Sequence, residues 1–488
     1  MESYGYATEL EYVNDFIPAL NPLWIDFCLL LAGIDTPMHC DSVSFDYLEL
    51  GFGRGNSLTL NASCSEGRFV GNDFIPAHCK GAQSFINVSK SSAKVYTEDF
   101  KQLKEQLDKE NLNFDYIVLH GVWSWISQEN QGVILDIIST HLKPQGIVYV
   151  SYNCFPGWEG KYSLRHLLKL VEQNAQGNQA ERIEQSIYFA NKFFESKPLY
   201  AECNPRTQEM HHELQTRELN YLCHEFFNKD WHCVFFSQMA HFMAQAQCAF
   251  ACSAKLMWNF DMQTFSAEQK ALLAQTQDST LQEQLKDYFL NESFRMDLFA
   301  KGCKKLTQKE RDTKLLQTSF VILKPLSLAQ FSAPPILQEL CARILEIFAK
   351  DSYVPKTLQS LVESLQLEME SLLPIICAMM TQEIIHPTQA ITQKTKAQAQ
   401  SHNKLLFAQQ AKILKPFLAS PLIGGGVYMD YLSWTCLKGY TQGICDKESL
   451  AQFISDSIPN LPRESLEAFV EQFLKELCLY QALEILQN

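Results

Sequence analysis

At 488 residues the chain is several times longer than one ordinary domain, so two to four domains with cores of their own are expected. Its 46% hydrophobic and 20% charged residues are those of a globular protein, and no apolar run approaches the roughly 20 residues that cross a bilayer, so no integral membrane segment is expected. A net charge of −14 repels nucleic acid and anionic membranes and favours a basic partner.

The chain begins with Glu2, Glu9, Glu11 and Asp15 and no basic residue, the reverse of a signal peptide's start. Tyr4 and Tyr6 stand in this segment, which could fold over a bound ligand. A helix is predicted around Pro22 to Leu31 and a turn at Asp35 to Pro37. Strands are then predicted at Phe45–Leu50, Arg68–Asn72, Lys94–Thr97, Tyr116–His120 and Ile147–Tyr152, with helical patterns between them. The clearest is Gln128 to Leu142, apolar at Val133, Ile134, Ile137, Ile138 and Leu142. This alternation implies a doubly wound α/β fold, a parallel sheet covered on both faces.

From 161 to 230 the pattern is of polar helices without a strand, a helical insertion. Strand character returns at Trp231–Ser237 and Ala249–Ala254. The expected division is a core of residues 1–160 and 231–256, a middle domain 257–330, a helical domain 331–400 and a C-terminal helical domain 401–488. A linker is expected at Thr388–Asn403 and a break at Gly424–Gly426. The 16 cysteines contain no C-x-x-C, and Cys248 and Cys252 have no second pair at zinc spacing. His211 and His212 are adjacent and diverge by about 100° on a helix. No metal site is expected, and reduced thiols in a cytoplasm are.

The segment Leu48–Ser57 carries the chemistry. A buried strand ends at Glu49 and Leu50, and Gly51, Gly53 and Gly55 make the turn into a helix opened by Asn56. Glycines there let a ligand approach the backbone. The spacing G-x-G-x-G differs from the dinucleotide fingerprint G-x-G-x-x-G and suits a ligand without a pyrophosphate. At the next strand end Asp73, 22 residues beyond Gly51, can accept hydrogen bonds from two ribose hydroxyls. Thr97 to Phe100 then offer an acceptor for an adenine amino group, Asp99, and a ring for the base, Phe100. Each feature has a plain structural counterpart: a tight turn, a helix cap at Asp73, a solvated acid at Asp99. Three strand ends in the right order favour the ligand.

With the segments Asp115–Trp125, which includes His120, and Tyr149–Trp158, the chain resembles class I S-adenosylmethionine-dependent methyltransferases. More narrowly it resembles bacterial protein-lysine methyltransferases that carry a methyltransferase regulatory domain. Tyr221–Glu225 and Asn291–Arg295 extend the resemblance over residues 1–300, while Phe52 and Cys154–Phe155 depart from the family pattern. The resemblance implies a seven-stranded Rossmann-like core with an antiparallel final strand and S-adenosyl-L-methionine as cofactor. It also implies dimerisation through the insertion, a C-terminal module of winged-helix type, and methylation of lysines on surface or outer-membrane proteins.

An attacking lysine amine must be neutral, and an apolar aromatic channel favours that form. Trp123, Trp125, Tyr152 and Trp158 are candidates for its walls. Tyr152 and Asn153 are the candidates for orienting the amine, and His120 for taking its proton or bonding the cofactor. Small-molecule methylation and a noncatalytic, cofactor-binding regulator are the alternatives. Between Pro335 and Gln389 three basic residues face seven acidic ones, the wrong sign for reading DNA.

Overall fold

The computed structural model describes residues 16–37, 44–260, 265–325, 331–332, 335–409, 415–458 and 462–486. Tyr4 and Tyr6 lie outside them. Asn21 opens α1 (Pro22–Leu31) by accepting from the Leu23 N–H, and Pro22 sits where a helix needs no donor. Strands and helices then alternate: β1 (Asp46–Leu50), α2 (Asn56–Cys64), β2 (Arg68–Asn72), α3 (Pro76–Ser89), β3 (Ala93–Tyr96), α4 (Phe100–Glu110), β4 (Phe114–Leu119), α5 (Gln128–His141) and β5 (Leu142–Asn153). The insertion is wholly helical: α6 (Glu159–Asn174), α7 (Gln179–Glu195), α8 (Leu199–Cys203), α9 (Thr207–Thr216) and α10 (Leu219–Phe226). The chain returns to the sheet through α11 (Phe236–Gln245) and β6 (Ala249–Ser253), then α12 (Ala267–Gln275), α13 (Ser279–Leu290) and β7 (Phe294–Ala300).

The sheet order is β3-β2-β1-β4-β5-β7-β6, with β1 to β5 parallel and β7 antiparallel to both its neighbours. Period-two alternation sends Tyr47, Tyr116 and Tyr149 to one face, where α1, α2 and α3 pack. Leu48, Ile117 and Val150 face the other, against Leu103 and Leu107 of α4, Ile134 and Ile138 of α5, and Met239 and Met243 of α11.

Two expectations about the sheet need correction. Trp231–Ser237 is no strand: Val234 makes one bridge with Cys154, and its neighbours lead into α11. A short apolar run reads alike in a strand and in a buried connection. The seventh strand is instead β7, so the sheet draws on a segment beyond residue 256. Arg295 and Asp297 interrupt its apolar pattern, yet both are buried, because Arg295 Nε donates to Asp297 Oδ2 at 2.7 Å and Nη1 to Asp287 Oδ1 at 2.6 Å. Paired charges let polar residues occupy a core strand.

Beyond the sheet come α14 (Gln308–Gln317), β8 (Ser319–Ile322), α15 (Pro335–Lys350), β9 (Lys356–Thr357), α16 (Leu358–Leu365), α17 (Met369–Thr381) and β10 (Ile385–Pro387), the three strands forming a small antiparallel sheet. The expected linker is mostly a helix, α18 (Gln393–Ala408), opened by a capping box between Thr392 and Thr395. Alanine, glutamine and lysine are strong helix formers, and a buried face of Ala399, His402, Asn403 and Leu406 fixes the helix against α2 and α3. The glycine break lies in a hairpin of β11 (Phe417–Ser420) and β12 (Gly425–Tyr428), and further helices follow from Tyr431 to Ala482.

These C-terminal elements clamp the ends of α2 and α3 remote from the C-terminal ends of the strands. His402 Nδ1 meets Ser63 Oγ at 3.0 Å, Gln389 Nε2 donates to the Cys64 carbonyl at 2.7 Å, and Gln398 Nε2 donates to the Lys90 carbonyl at 2.8 Å.

Candidate active site

Ligands of open α/β sheets bind beyond the carboxyl ends of the strands, and the singled-out segments gather there. Gly51, Gly53 and Gly55 have φ of 68°, 58° and 79°, the left-handed region that a Cβ disfavours. A Cβ on Gly51 would lie 2.7 Å from Val122 Cγ2, so the turns after β1 and β4 touch. Gly55 is the N-cap of α2 and, having no side chain, caps it with none, so the helix begins at this end of the sheet. Glu49, on β1 itself, is buried; burial pushes its carboxyl up to about 8, with the Tyr47 hydroxyl 3.5 Å away opposing the rise.

Asp73 follows β2 and ties the turn together. Its Oδ2 accepts from the Gly53 N–H at 3.0 Å, and its Oδ1 from the Ile75 N–H at 2.9 Å, with His78 Nδ1 at 3.2 Å. Asp73 thus orders the glycine turn, and a carboxylate, with two oxygens, keeps acceptor capacity beyond those bonds. Asp99 is the N-cap of α4, its Oδ1 accepting from the Gln102 N–H at 2.8 Å, so the capping role weighed for Asp73 falls to the residue weighed as a solvated acid. Glu98 beside it holds a buried Oε2 with no hydrogen-bond partner, and burial and Asp99 raise its carboxyl's pKa. Phe100 is the half-buried first residue of α4. An orphaned acceptor at the end of β3, an aromatic ring beside it, a carboxylate after β2 and glycines that admit close approach form a cradle for a nucleoside.

His120 follows β4, its Nδ1 at 2.8 Å from the Tyr149 hydroxyl and its ring packed against Tyr149 and Phe294. Burial lowers its pKa to about 4, so the ring is neutral at physiological pH and a weak base. Ser151 Oγ accepts from the Gly121 N–H at 2.9 Å, and Ser124 Oγ from the Asn153 N–H at 2.9 Å, which fastens the β4 turn to the end of β5.

Tyr152 does not join Asn153. Strand alternation turns it to the opposite face, 1% exposed, where its hydroxyl donates to Asp297 Oδ2 at 2.6 Å. The tryptophans also part. Trp123 is fully buried against Phe242 and belongs to the core. Trp125 and Trp158 meet over Trp231, with ring centroids 6.5 and 4.8 Å from it, and Tyr162 closes on Trp231 at 5.6 Å. The Arg165 guanidinium lies 4.5 Å over Trp231, so this aromatic group already faces a cation.

Tyr149, Ser151, Trp231 and Glu225 were not singled out for a role from sequence. The first two were legible as the same-face partners of Asn153. Glu225, on α10, sits beside the Asn153 amide, and burial raises its carboxyl to about 7. Nothing in the local sequence joins α10 to β5.

A methyltransferase domain model matches residues 42–221, and a predicted methyltransferase regulatory domain model matches residues 218–301. The Synechocystis sp. protein sll1526 is 30% identical over 440 residues, 88% of this chain and 86% of its own. Rickettsia prowazekii RP789 is 26% identical over 249 residues, 47% of this chain and 41% of its own. Among solved structures, PKMT2 from Rickettsia typhi in complex with AdoHcy superimposes with a TM-score of 0.69 at 16% identity, over 97% of this chain and 99% of that one. With the strand order, the glycine turn and these matches together, the chain belongs to the class I S-adenosylmethionine-dependent methyltransferases with a methyltransferase regulatory domain, and S-adenosylmethionine is its cofactor.

Proposed function

We propose that the protein N-methylates lysine side chains of a protein substrate. The observation that carries this reading is the aromatic group of Trp125, Trp158, Trp231 and Tyr162 gathered by the insertion near the end of β5. Such walls favour a neutral amine by desolvation and still tolerate the cation from which it comes. The likeness in fold to PKMT2 supports the same reading.

In this account Gly51 to Asn56, Asp73 and Glu98 hold the cofactor, which supplies an electrophilic methyl group on a cationic sulfur. His120 orients through its hydrogen bond with Tyr149, and Asn153 faces the acceptor. Holding the amine in line with the methyl group at near-attack distance is the main task left to the protein. The substrate class follows the family resemblance, surface or outer-membrane proteins, and an acidic chain suits lysine-rich ones. A cytoplasmic site of action is supported by the fifteen free thiols among the described residues. Exposed Tyr188 and Leu199 on the insertion support pairing of two copies through it.

The test is transfer of labelled methyl groups to total protein from the same organism, native and with lysines acetylated beforehand. Label on native protein that acetylation abolishes is expected. Label confined to the small-molecule fraction would overturn the protein-substrate reading.

A further inference from the structure

Between Asn153 and Trp158, both assigned above to the acceptor side, the chain runs through the loop Cys154–Gly157. What holds this loop is a turn from far along the sequence, Asn291–Ser293, which joins α13 to β7. The Cys154 N–H donates to the Ser293 carbonyl at 2.9 Å, and the Gly157 N–H to the Glu292 carbonyl at 2.8 Å. The fit leaves no slack: a Cβ on Gly157 would stand 2.4 Å from the Glu292 carbonyl oxygen, so only glycine lets the two backbones lie this close. The next residue, Phe294, pairs with Asn153 across the β5–β7 ladder and packs its ring on His120, with centroids 5.9 Å apart.

Side chains stiffen the turn. Asn291 ends α13 in the left-handed region, at φ 49°, which asparagine tolerates better than most residues. Glu292 Oε1 accepts from the Ser293 and Phe294 N–H groups at 2.9 and 3.0 Å, and its Oε2 meets Lys255 Nζ at 2.9 Å.

One cation spans the joint between turn and loop. Arg206, the N-cap of α9 in the insertion, donates from Nη1 to the Gly157 carbonyl at 3.4 Å and to the Asn291 carbonyl at 3.3 Å. With the Asn291 side-chain oxygen turned toward it, the guanidinium also donates to that oxygen from Nε and Nη2, at 2.9 Å each. A planar fork that meets several oxygens at once fixes direction as well as distance. Arg206 and Gly157 belong to the segment matched by the methyltransferase domain, and Asn291 to that matched by the regulatory domain, so the fork fastens one to the other beside the acceptor side.

We propose that Arg206 is a positioning residue of the methyl transfer: by fastening the loop Cys154–Gly157 to the turn Asn291–Ser293, it keeps Asn153, Trp158 and His120 in place toward the methyl group of the cofactor. This assignment rests on the acceptor being met at the end of β5, and holds for a lysine and for a small-molecule acceptor alike. The cofactor is held by Gly51–Asn56, Asp73 and Glu98, none of them bonded to Arg206, so the fork acts on transfer and leaves cofactor binding unchanged. In-line transfer is sensitive to placement, and a displacement of about 1 Å costs on the order of 100-fold in rate. The regulatory segment thereby has a mechanical hold on the reaction, since whatever shifts this turn shifts the acceptor side.

The experiment uses the full chain, labelled S-adenosylmethionine and a whole extract of the same organism as acceptor, with label counted in the protein and small-molecule fractions together. Arg206→Ala is expected to lower the maximal rate about 10- to 100-fold. Its KM and calorimetric affinity for the cofactor should stay within about twofold of wild type, and full binding stoichiometry reports that it is folded. Arg206→Lys, which can reach the two carbonyls without forming the fork, should recover part of the rate. Gly157→Ala forces the same joint apart from the loop side and should show the same split between rate and cofactor affinity. Arg182→Ala removes an arginine bonded to Glu172 and the Gly177 carbonyl elsewhere in the insertion, and should keep the wild-type rate. Hydrogen exchange gives a readout that needs no acceptor: the Cys154 and Gly157 N–H groups should exchange about tenfold faster or more in Arg206→Ala, while those of β1 to β4 keep their wild-type protection. An Arg206→Ala protein that transfers label within about threefold of wild type, or that keeps wild-type exchange at Cys154 and Gly157, would overturn the assignment. Label confined to small molecules in the wild type would end the lysine reading and leave the comparison of variants intact. A wild type that binds the cofactor and labels neither fraction would overturn both.

Discussion

Replacing Gly51 by alanine tests the turn on which the cofactor site is built. Two costs act on the folded protein. At φ 68° a Cβ-bearing residue is disfavoured by roughly 1–2 kcal/mol. The added Cβ would also stand 2.7 Å from Val122 Cγ2, an overlap of the kind that costs about 1–3 kcal/mol to relieve. Alanine stiffens the unfolded chain and returns up to about 1 kcal/mol. The net loss is about 1–5 kcal/mol, and the relief must come from Val122, between the Gly121 turn and Trp123. Gly51→Ala should therefore lower the melting temperature by several degrees and weaken S-adenosylmethionine binding about tenfold or more. Gly81→Ala is the matched control: its Cβ would meet nothing within 4 Å on the exposed side of α3, so it should stabilise by roughly 0.5–1 kcal/mol. Differential scanning calorimetry and titration calorimetry on both variants decide the matter. An unchanged melting temperature and cofactor affinity in Gly51→Ala would refute the reasoning.

Three further outcomes follow from buried polar groups. Tyr152→Phe should cost about 1–3 kcal/mol by taking a donor from buried Asp297, visible in thermal melts, while cofactor affinity stays unchanged. Asp26, whose Oδ1 accepts from the Tyr116 hydroxyl at 2.6 Å, has its carboxyl raised by burial to about 8. The folded chain keeps that proton where the unfolded chain releases it, so this group's contribution falls as pH rises from about 4 to 8. Asp26→Asn should gain in melting temperature relative to wild type over that range. His402 behaves in the opposite sense: burial lowers it to about 3, so the unfolded state takes up a proton first and stability is lost as pH falls from about 6.5 toward 3. His402→Asn should flatten that limb of the melting curve, and an unaltered limb would show that this histidine does not titrate as described.

What could be read from the sequence and what could not have physical reasons. The parallel strands and the glycine turn were legible because each is local: an apolar run, then residues that only a tight turn tolerates. Strand β7 was not, since Arg295 and Asp297 balance one another only after β7, α13 and β5 are assembled. Helix α18 was read as a linker because its polar composition conceals a buried face that exists only against α2 and α3. Within the site, the types of residue were legible and the directions were not. Gly51, Asp73, Asn153 and Trp158 fall at or near the strand ends where expected, whereas Tyr152 and Trp123 turn into the core, a matter of strand parity and turn geometry. Glu225 lies beside Asn153 across 71 intervening residues, through the packing of an insertion that no local pattern describes.

The central claim is that the turn after β1 and the carboxylate after β2 form an S-adenosylmethionine site. Titration calorimetry of wild type and Asp73→Ala with S-adenosylmethionine tests it most directly. Asp73 holds the Gly53 and Ile75 N–H groups in place, so wild type should bind and Asp73→Ala should bind at least about tenfold more weakly. A folded wild-type protein that does not bind S-adenosylmethionine, or an Asp73→Ala protein that binds it equally well, would contradict the account.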